Sequence, residues 1–200
     1  MFDEIGTSDM IQGSLTSFTT DRFGCENSAL ALNGGWTQTP NGVYFNTPEF
    51  TISTWVYPQS VGYESRVIDF GNTITDNIVL SLSSGNSLQP MSYICNYFTV
   101  NAIYSSQKLK LNQWQFLALT FNGSIVSIYL NGTLIANKYL NYTLPTLIRK
   151  NCYIGKGNYG VDQYSSSYLD DLKFYNKSLT QAELIQAMNE NNASNENTIF

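Results

Sequence analysis

The chain has 200 residues, a net charge of −5, 14% aromatic and 12% charged residues, and no histidine. That size suits one large all-β domain. Its charged share is about half the usual one, so solubility rests on Ser, Thr, Asn and Tyr. The negative charge, with no basic cluster larger than Arg149-Lys150, argues against nucleic acid as a partner. The lack of histidine excludes Ser-His triads and imidazole acid–base chemistry, and no apolar run approaches the ~18 residues of a membrane span. Met1-Phe2-Asp3-Glu4 has no signal-peptide character.

Residues 1–24 read as an irregular lead-in, because turn formers outnumber periodic apolar positions. Ala29–Leu32 and Gly42–Asn46 are predicted short strands. Phe50–Tyr57 alternates cleanly, with Phe50, Ile52, Thr54 and Val56 on one face and Thr51, Ser53, Trp55 and Tyr57 on the other, as a central strand does. Strands over Arg66–Phe70 and Ile78–Ser83 flank Gly71-Asn72, and Met91–Val100 is read as one further strand. Asn122-Gly123 and Asn131-Gly132 sit between alternating runs, the strongest short-range hairpin signal. They predict a meander of Trp114–Phe121, Ser124–Leu130 and Thr133–Tyr139. A short strand over Tyr153–Gly155 precedes a polar loop over Gly157–Ser167.

The last strand lies within Ser167–Tyr175. Period 2 places Asp170 with Leu172 and Phe174 on one face, and Asp171 with Lys173 and Tyr175 on the other. Thr180-x-x-Glu183 is a capping box, with Leu179 and Leu184 placed to close a hydrophobic staple, so a helix is expected over Gln181–Met188. Asn189–Phe200 reads as a flexible Asn-rich tail or linker, which leaves 1–188 as one domain. About a dozen strands with one late helix predict an all-β fold, a two-sheet antiparallel sandwich.

The run Tyr168-Leu169-Asp170-Asp171-Leu172-Lys173-Phe174-Tyr175-Asn176 with Leu179-Thr180-Gln181-Ala182-Glu183 resembles the C-terminal signature of laminin G-like jelly rolls in the concanavalin A-like lectin/glucanase superfamily. Asp21-Arg22-Phe23-Gly24, Phe50-Thr51-Ile52-Ser53-Thr54-Trp55-Val56, Trp114 to Thr120 and Ile128-Tyr129-Leu130-Asn131-Gly132 match further family motifs in the same order. The resemblance implies a jelly-roll sandwich with one short C-terminal helix. It also implies an extracellular or cell-surface recognition module that binds a glycan or a protein as part of a larger assembly. Family members carry a strand before the position of Asp3-Glu4-Ile5-Gly6, so a fragment boundary, or a missing first strand, is expected at the amino end.

Asp170 matches the aspartate with which many superfamily members hold a structural Ca²⁺, so calcium is the candidate cofactor and Asp170 its candidate ligand. The alternative is an Asp170 hydrogen-bonded to backbone amides with no ion; Asp171 is expected to be a solvated surface charge. Pentraxin-like relatives hold ligand calcium on acidic and amide loop pairs, which nominates Asp76-Asn77 and Asp162-Gln163. Tyr63, Tyr159 and Tyr164 are the candidate sugar-stacking rings. The E-x-D-x-E strand of the family's glycoside hydrolases is absent. The nearest acidic pair, Glu64 and Asp69, falls on opposite strand faces by alternation, so a hydrolase is the weakest reading. A spacer with no ligand of its own is the remaining alternative. Cys25, Cys95 and Cys152 leave two readings open, one disulfide plus a thiol or three buried thiols.

Overall fold

The computed structural model describes residues 10–96, 99–140, 143–160 and 164–190. Its strands are β1 (Gln12–Thr19), β2 (Ala29–Gln38), β3 (Phe50–Pro58), β4 (Arg66–Gly71), β5 (Ile78–Ser81) and β6 (Met91–Asn96), followed by β7 (Thr99–Tyr104), β8 (Gln115–Phe121), β9 (Ile125–Leu130), β10 (Thr133–Tyr139), β11 (Asn151–Ile154) and β12 (Ser165–Tyr175). Among the described residues one helix, α1 (Gln181–Asn189), follows. Every pairing is antiparallel, along a single path β10-β9-β8-β3-β12-β2-β11-β4-β5-β6-β7, with β1 beside β2.

Strand β2 joins the two halves of this path. Its Leu30, Ala31 and Leu32 pair with Leu169, Tyr168 and Ser167 of β12, while its Thr37 and Gln38 pair with Ile154 and Tyr153 of β11. The path curls until its ends meet. The Ser106 amide donates to the Ile135 carbonyl at 3.1 Å, and Lys138 Nζ donates to the Ala102 carbonyl at 3.3 Å. Ile52, Leu117, Leu119 and Ile128 from one half share a single core with Val67, Ile68, Leu80, Ile94 and Ile103 from the other. Each such buried side chain contributes about 2 kcal/mol.

The expected meander and helix are present. Asn131 and Gly132 both adopt positive φ, +49° and +75°, as a tight hairpin turn requires. Thr180 Oγ1 accepts from the Glu183 amide while the Glu183 carboxylate accepts from the Thr180 amide, closing the capping box. Leu179, Leu184 and Ala187 then pack on Phe116 and Ala118, with Trp55 and Tyr129 alongside. The fold extends past the expected boundary: Asn189 ends the helix, and Glu190 is held to Lys173 at 3.0 Å. Residues 191–200, the rest of the expected tail, lie outside the described residues.

Four local expectations are corrected. The lead-in contains β1, which carried no periodic signal because nearly all its side chains are exposed. Strand β2 runs six residues past Leu32, and Gly35 is what permits it. A Cβ there would lie 2.3 Å from the carbonyl oxygens of Ser14 and Leu15, so any side chain would push β1 away. The stretch Met91–Val100 is two paired strands, β6 and β7. Gly42–Asn46 makes only an isolated bridge, Gly42 to Arg149, and no strand.

Candidate functional site

Antiparallel partners share a sheet face, and the register draws a row across six strands. Gln38 opposes Tyr153, Tyr153 opposes Asp69, Asp69 opposes Val79, Val79 opposes Tyr93, and Tyr93 opposes Ala102. A parallel row holds Arg66, Ser81, Met91 and Tyr104. Their sequence neighbours Ile68, Phe70, Leu80, Ile94 and Ile154 point into the core, so both rows lie on the outer face.

Two of these groups are charged and fully buried, Arg66 and Asp69. A buried charge must be paired and hydrogen-bonded. Asp69 accepts from Asn77 Nδ2, from the Asn158 amide at 2.8 Å and from Asn158 Nδ2 at 2.9 Å, with Arg66 Nε at 4.0 Å. Burial pushes its carboxyl above the usual range, against the pull of those hydrogen bonds and of Arg66. Arg66 also donates to Ser81 Oγ at 2.7 Å and to Glu64 at 3.2 Å, and its guanidinium faces the rings of Tyr93 and Tyr159 at 5.6 and 5.9 Å. Tyr93 donates to Glu64 at 3.1 Å. Glu64 and Asp69 therefore converge on Arg66, contrary to strict alternation. Glu64 adopts a positive φ of +51°, and the register slips between Arg66 and Ile68.

The network anchors the segments that cover this face. Asp76 Oδ1 accepts from the amides of Asn72 and Thr73, fixing the turn that presents Asn77 to Asp69. Tyr159 donates to the Ile74 carbonyl at 2.9 Å. Of the predicted ligand residues, the structure thus brings together Asp76, Asn77 and Tyr159. Asp76 and Asn77 are 6% and 0% exposed, so they brace the site rather than line it. Tyr63 and Tyr164 are exposed; Asp162 lies outside the described residues. The rings sequence reasoning missed are Trp36, Tyr93, Tyr104 and Tyr153. Trp36 and Tyr153 meet edge to face at 5.5 Å, and Lys156 Nζ lies 4.3 and 4.4 Å from their ring centroids. Gly155, at φ +82° and tight against the Gly35 carbonyl, turns the chain there. One signal was available: Arg66 and Asp69 are charges set among Val67, Ile68 and Phe70, and such a strand must pair them.

Two other features are distinct from this face. A pocket of about 270 Å³ is walled by Tyr44, Phe45, Phe50, Phe70 and Phe174, and among the described residues no charged side chain lines it. Tyr57, Trp114 and Tyr168 form a half-buried stack, with Tyr57 and Tyr168 parallel at 5.3 Å. The cysteines are unbridged. Cys95 and Cys152 are buried and Cys25 is exposed, which corrects both sequence readings.

Asp170 is buried as expected, at 8% exposure, but on the opposite face. It opposes Trp55 and Lys173 opposes Ser53, so two residues of β12 face Thr54 alone. Asp171 is the inserted residue of this bulge, with φ +49°. The bulge leaves Asp170 on the helix-covered face, while Leu172 and Phe174 pack on the core. Asp171 is also buried, not a solvated charge. Both carboxylates bind Arg22, Asp171 at 2.6 Å. Burial pushes the Asp170 carboxyl up to about 6, against Arg22 and with the Asp171 charge adding to the rise. A folded-state value above the ordinary 3.8 gives stability that is full below about pH 3.8 and lost as pH rises through about 6. The stability difference between wild type and Asp170→Asn should therefore shrink by up to about 3 kcal/mol between about pH 3.5 and 7.5. Thermal melts showing a flat difference over that range would contradict this.

Solved structures share this architecture. Domain 4 of AbnA, a GH43 extracellular arabinanase from Geobacillus stearothermophilus solved in complex with arabinotriose, superposes with a TM-score of 0.69 at 19% identity, covering 87% of this chain and 86% of that one. The binding domain of Paraclostridial Mosquitocidal Protein 1 gives 0.67 at 19% identity over 92% of this chain. That of botulinum neurotoxin serotype C1 gives 0.64 at 14% over 89%. The chain spans about half of each toxin domain, 47% in both cases. No curated protein matches the sequence. Residues 32–185 match the Laminin_G_3 family, described as concanavalin A-like lectin/glucanases superfamily. The chain belongs to that family.

Proposed function

We propose that this chain is a non-catalytic glycan-binding module of a larger secreted or surface protein, and that it reads sugar on the outer face of β2-β11-β4-β5-β6-β7. The observation that carries the reading is the set of rings Trp36, Tyr153, Tyr93 and Tyr104 on one sheet face, with Tyr159 and the amide of Asn158 beside them, over the fully buried Arg66 and Asp69. Aromatic rings stack on the apolar faces of sugars while neighbouring polar groups read their hydroxyls. The fold shared with an arabinotriose-bound domain and with toxin binding domains supports the same reading. Among the described residues no helix is long and apolar enough to cross a membrane.

The carboxylates on this face argue against hydrolysis. A retaining or inverting glycosidase needs two carboxyl groups flanking an open sugar site. Here Asp69 is buried and saturated with hydrogen bonds, and Glu64 holds Arg66 and Tyr93. We infer also that the halves on either side of β2 stack as the two layers of a jelly-roll sandwich, because their inward residues share one core. A protein partner is the second reading, favoured by the exposed Ile11, Leu15 and Phe18 on and beside β1.

A glycan array that includes arabino-oligosaccharides tests the proposal. Binding is expected, and Tyr153→Ala should weaken it about tenfold with the fold intact by circular dichroism. An array without a hit would overturn the glycan reading in favour of a protein ligand or a spacer.

A further inference from the structure

The family resemblance implies a structural calcium at Asp170, and the donor set there does not fit one. Ca²⁺ takes six to eight oxygens at about 2.3–2.6 Å. Both carboxylates at this point already face N–H groups of a single side chain. Arg22, whose side chain is 6% exposed, donates from Nη1 to Asp170 Oδ2 and from Nη2 to Asp171 Oδ2 at 2.6 Å. Its Nη2 also lies 3.2 Å from the Glu190 carbonyl oxygen. The guanidinium carbon lies 4.2 Å from the Phe23 ring centroid and 5.1 Å from that of Trp55. Among the described residues no cluster of three or more metal-ligating side chains exists.

This arrangement does what a bound ion would do. One cation joins the turn after β1, the bulge of β12 and the residue that follows α1. A planar fork with several fixed donors can serve two carboxylates and a carbonyl at once, and aromatic faces on its flanks suit a weakly hydrated guanidinium. A divalent ion at the same focus would meet the guanidinium charge at contact distance. We propose that Arg22 is the resident cation of this position, taking the place of a metal, and that the domain folds without calcium.

The wild-type chain alone gives the first test. Its melting temperature is expected to be the same, within about 1 °C, in EDTA and in millimolar CaCl₂; a fall of several degrees in EDTA that calcium reverses would overturn the proposal. The second test concerns Arg22. Arg22→Ala takes the guanidinium away from two buried carboxylates and should lower the melting temperature by about 10 °C. Arg22→Lys, a point charge that cannot bridge both, should recover only part of the loss. If Arg22→Ala does not fold, the partial recovery in Arg22→Lys remains readable. A melting temperature unchanged in Arg22→Lys, or in Arg22→Ala, would show that the fork carries no such role.

Discussion

Asp69→Ala should cost about 3–5 kcal/mol and lower the melting temperature by about 10 °C, the largest loss expected from any single change on the outer face. Three donors from Asn77 and Asn158 lose their acceptor at once, and the fully buried Arg66 loses a carboxylate partner. A buried group left without its partner costs its full desolvation, which exceeds the net worth of the bond it made. The effect should reach the ligand face as well. Asn158 is tied to Asp69, and Tyr159 follows it, so glycan affinity should fall with stability. Asp69→Asn keeps the volume but sets an amide among donors, and should be intermediate. Chemical denaturation placing Asp69→Ala within 1 kcal/mol of wild type would mean that the network is not what holds this face.

Leu184→Ala should be the most damaging truncation in the helix, at about 3 kcal/mol. Leu184 is fully buried in one cluster with Phe116, Ala118, Leu179 and Ala187, against which Trp55 packs. Thr180→Ala should cost about 1 kcal/mol, because it removes the cap and leaves the packing. Gln186→Ala, on the exposed side, should be silent. Equal losses for Leu184→Ala and Thr180→Ala would show that the helix is held by its first turn and not by its apolar face.

The helix was legible in the sequence because its signals are local. A capping box, a staple and two Asn-Gly turns act within five residues of themselves, and each is where the sequence placed it. The bulge in β12 was not legible. Nothing in Leu169-Asp170-Asp171-Leu172 says which aspartate takes the positive φ, and one inserted residue moves Asp170 to the other face. The same limit hid the convergence of Glu64 and Asp69 on Arg66. Strand β1 was invisible for another reason: it lies on β2 with nearly every side chain in solvent, so no alternation marks it. The ring row was missed because its members come from separate strands, and only the register brings Trp36, Tyr153, Tyr93 and Tyr104 onto one face.

Three tryptophans report on three places in this fold. Trp36 stands on the proposed sugar face, Trp55 lies beneath the helix, and Trp114 belongs to the stack with Tyr57 and Tyr168. Titrating ¹⁵N-labelled protein with a sugar selected on the array, and following the three indole N–H resonances, tests the location of binding directly. The Trp36 resonance should move with ligand concentration and those of Trp55 and Trp114 should stay in place. Movement of Trp114 with Trp36 unaffected would put the sugar at the stack of Tyr57, Trp114 and Tyr168 and contradict the account.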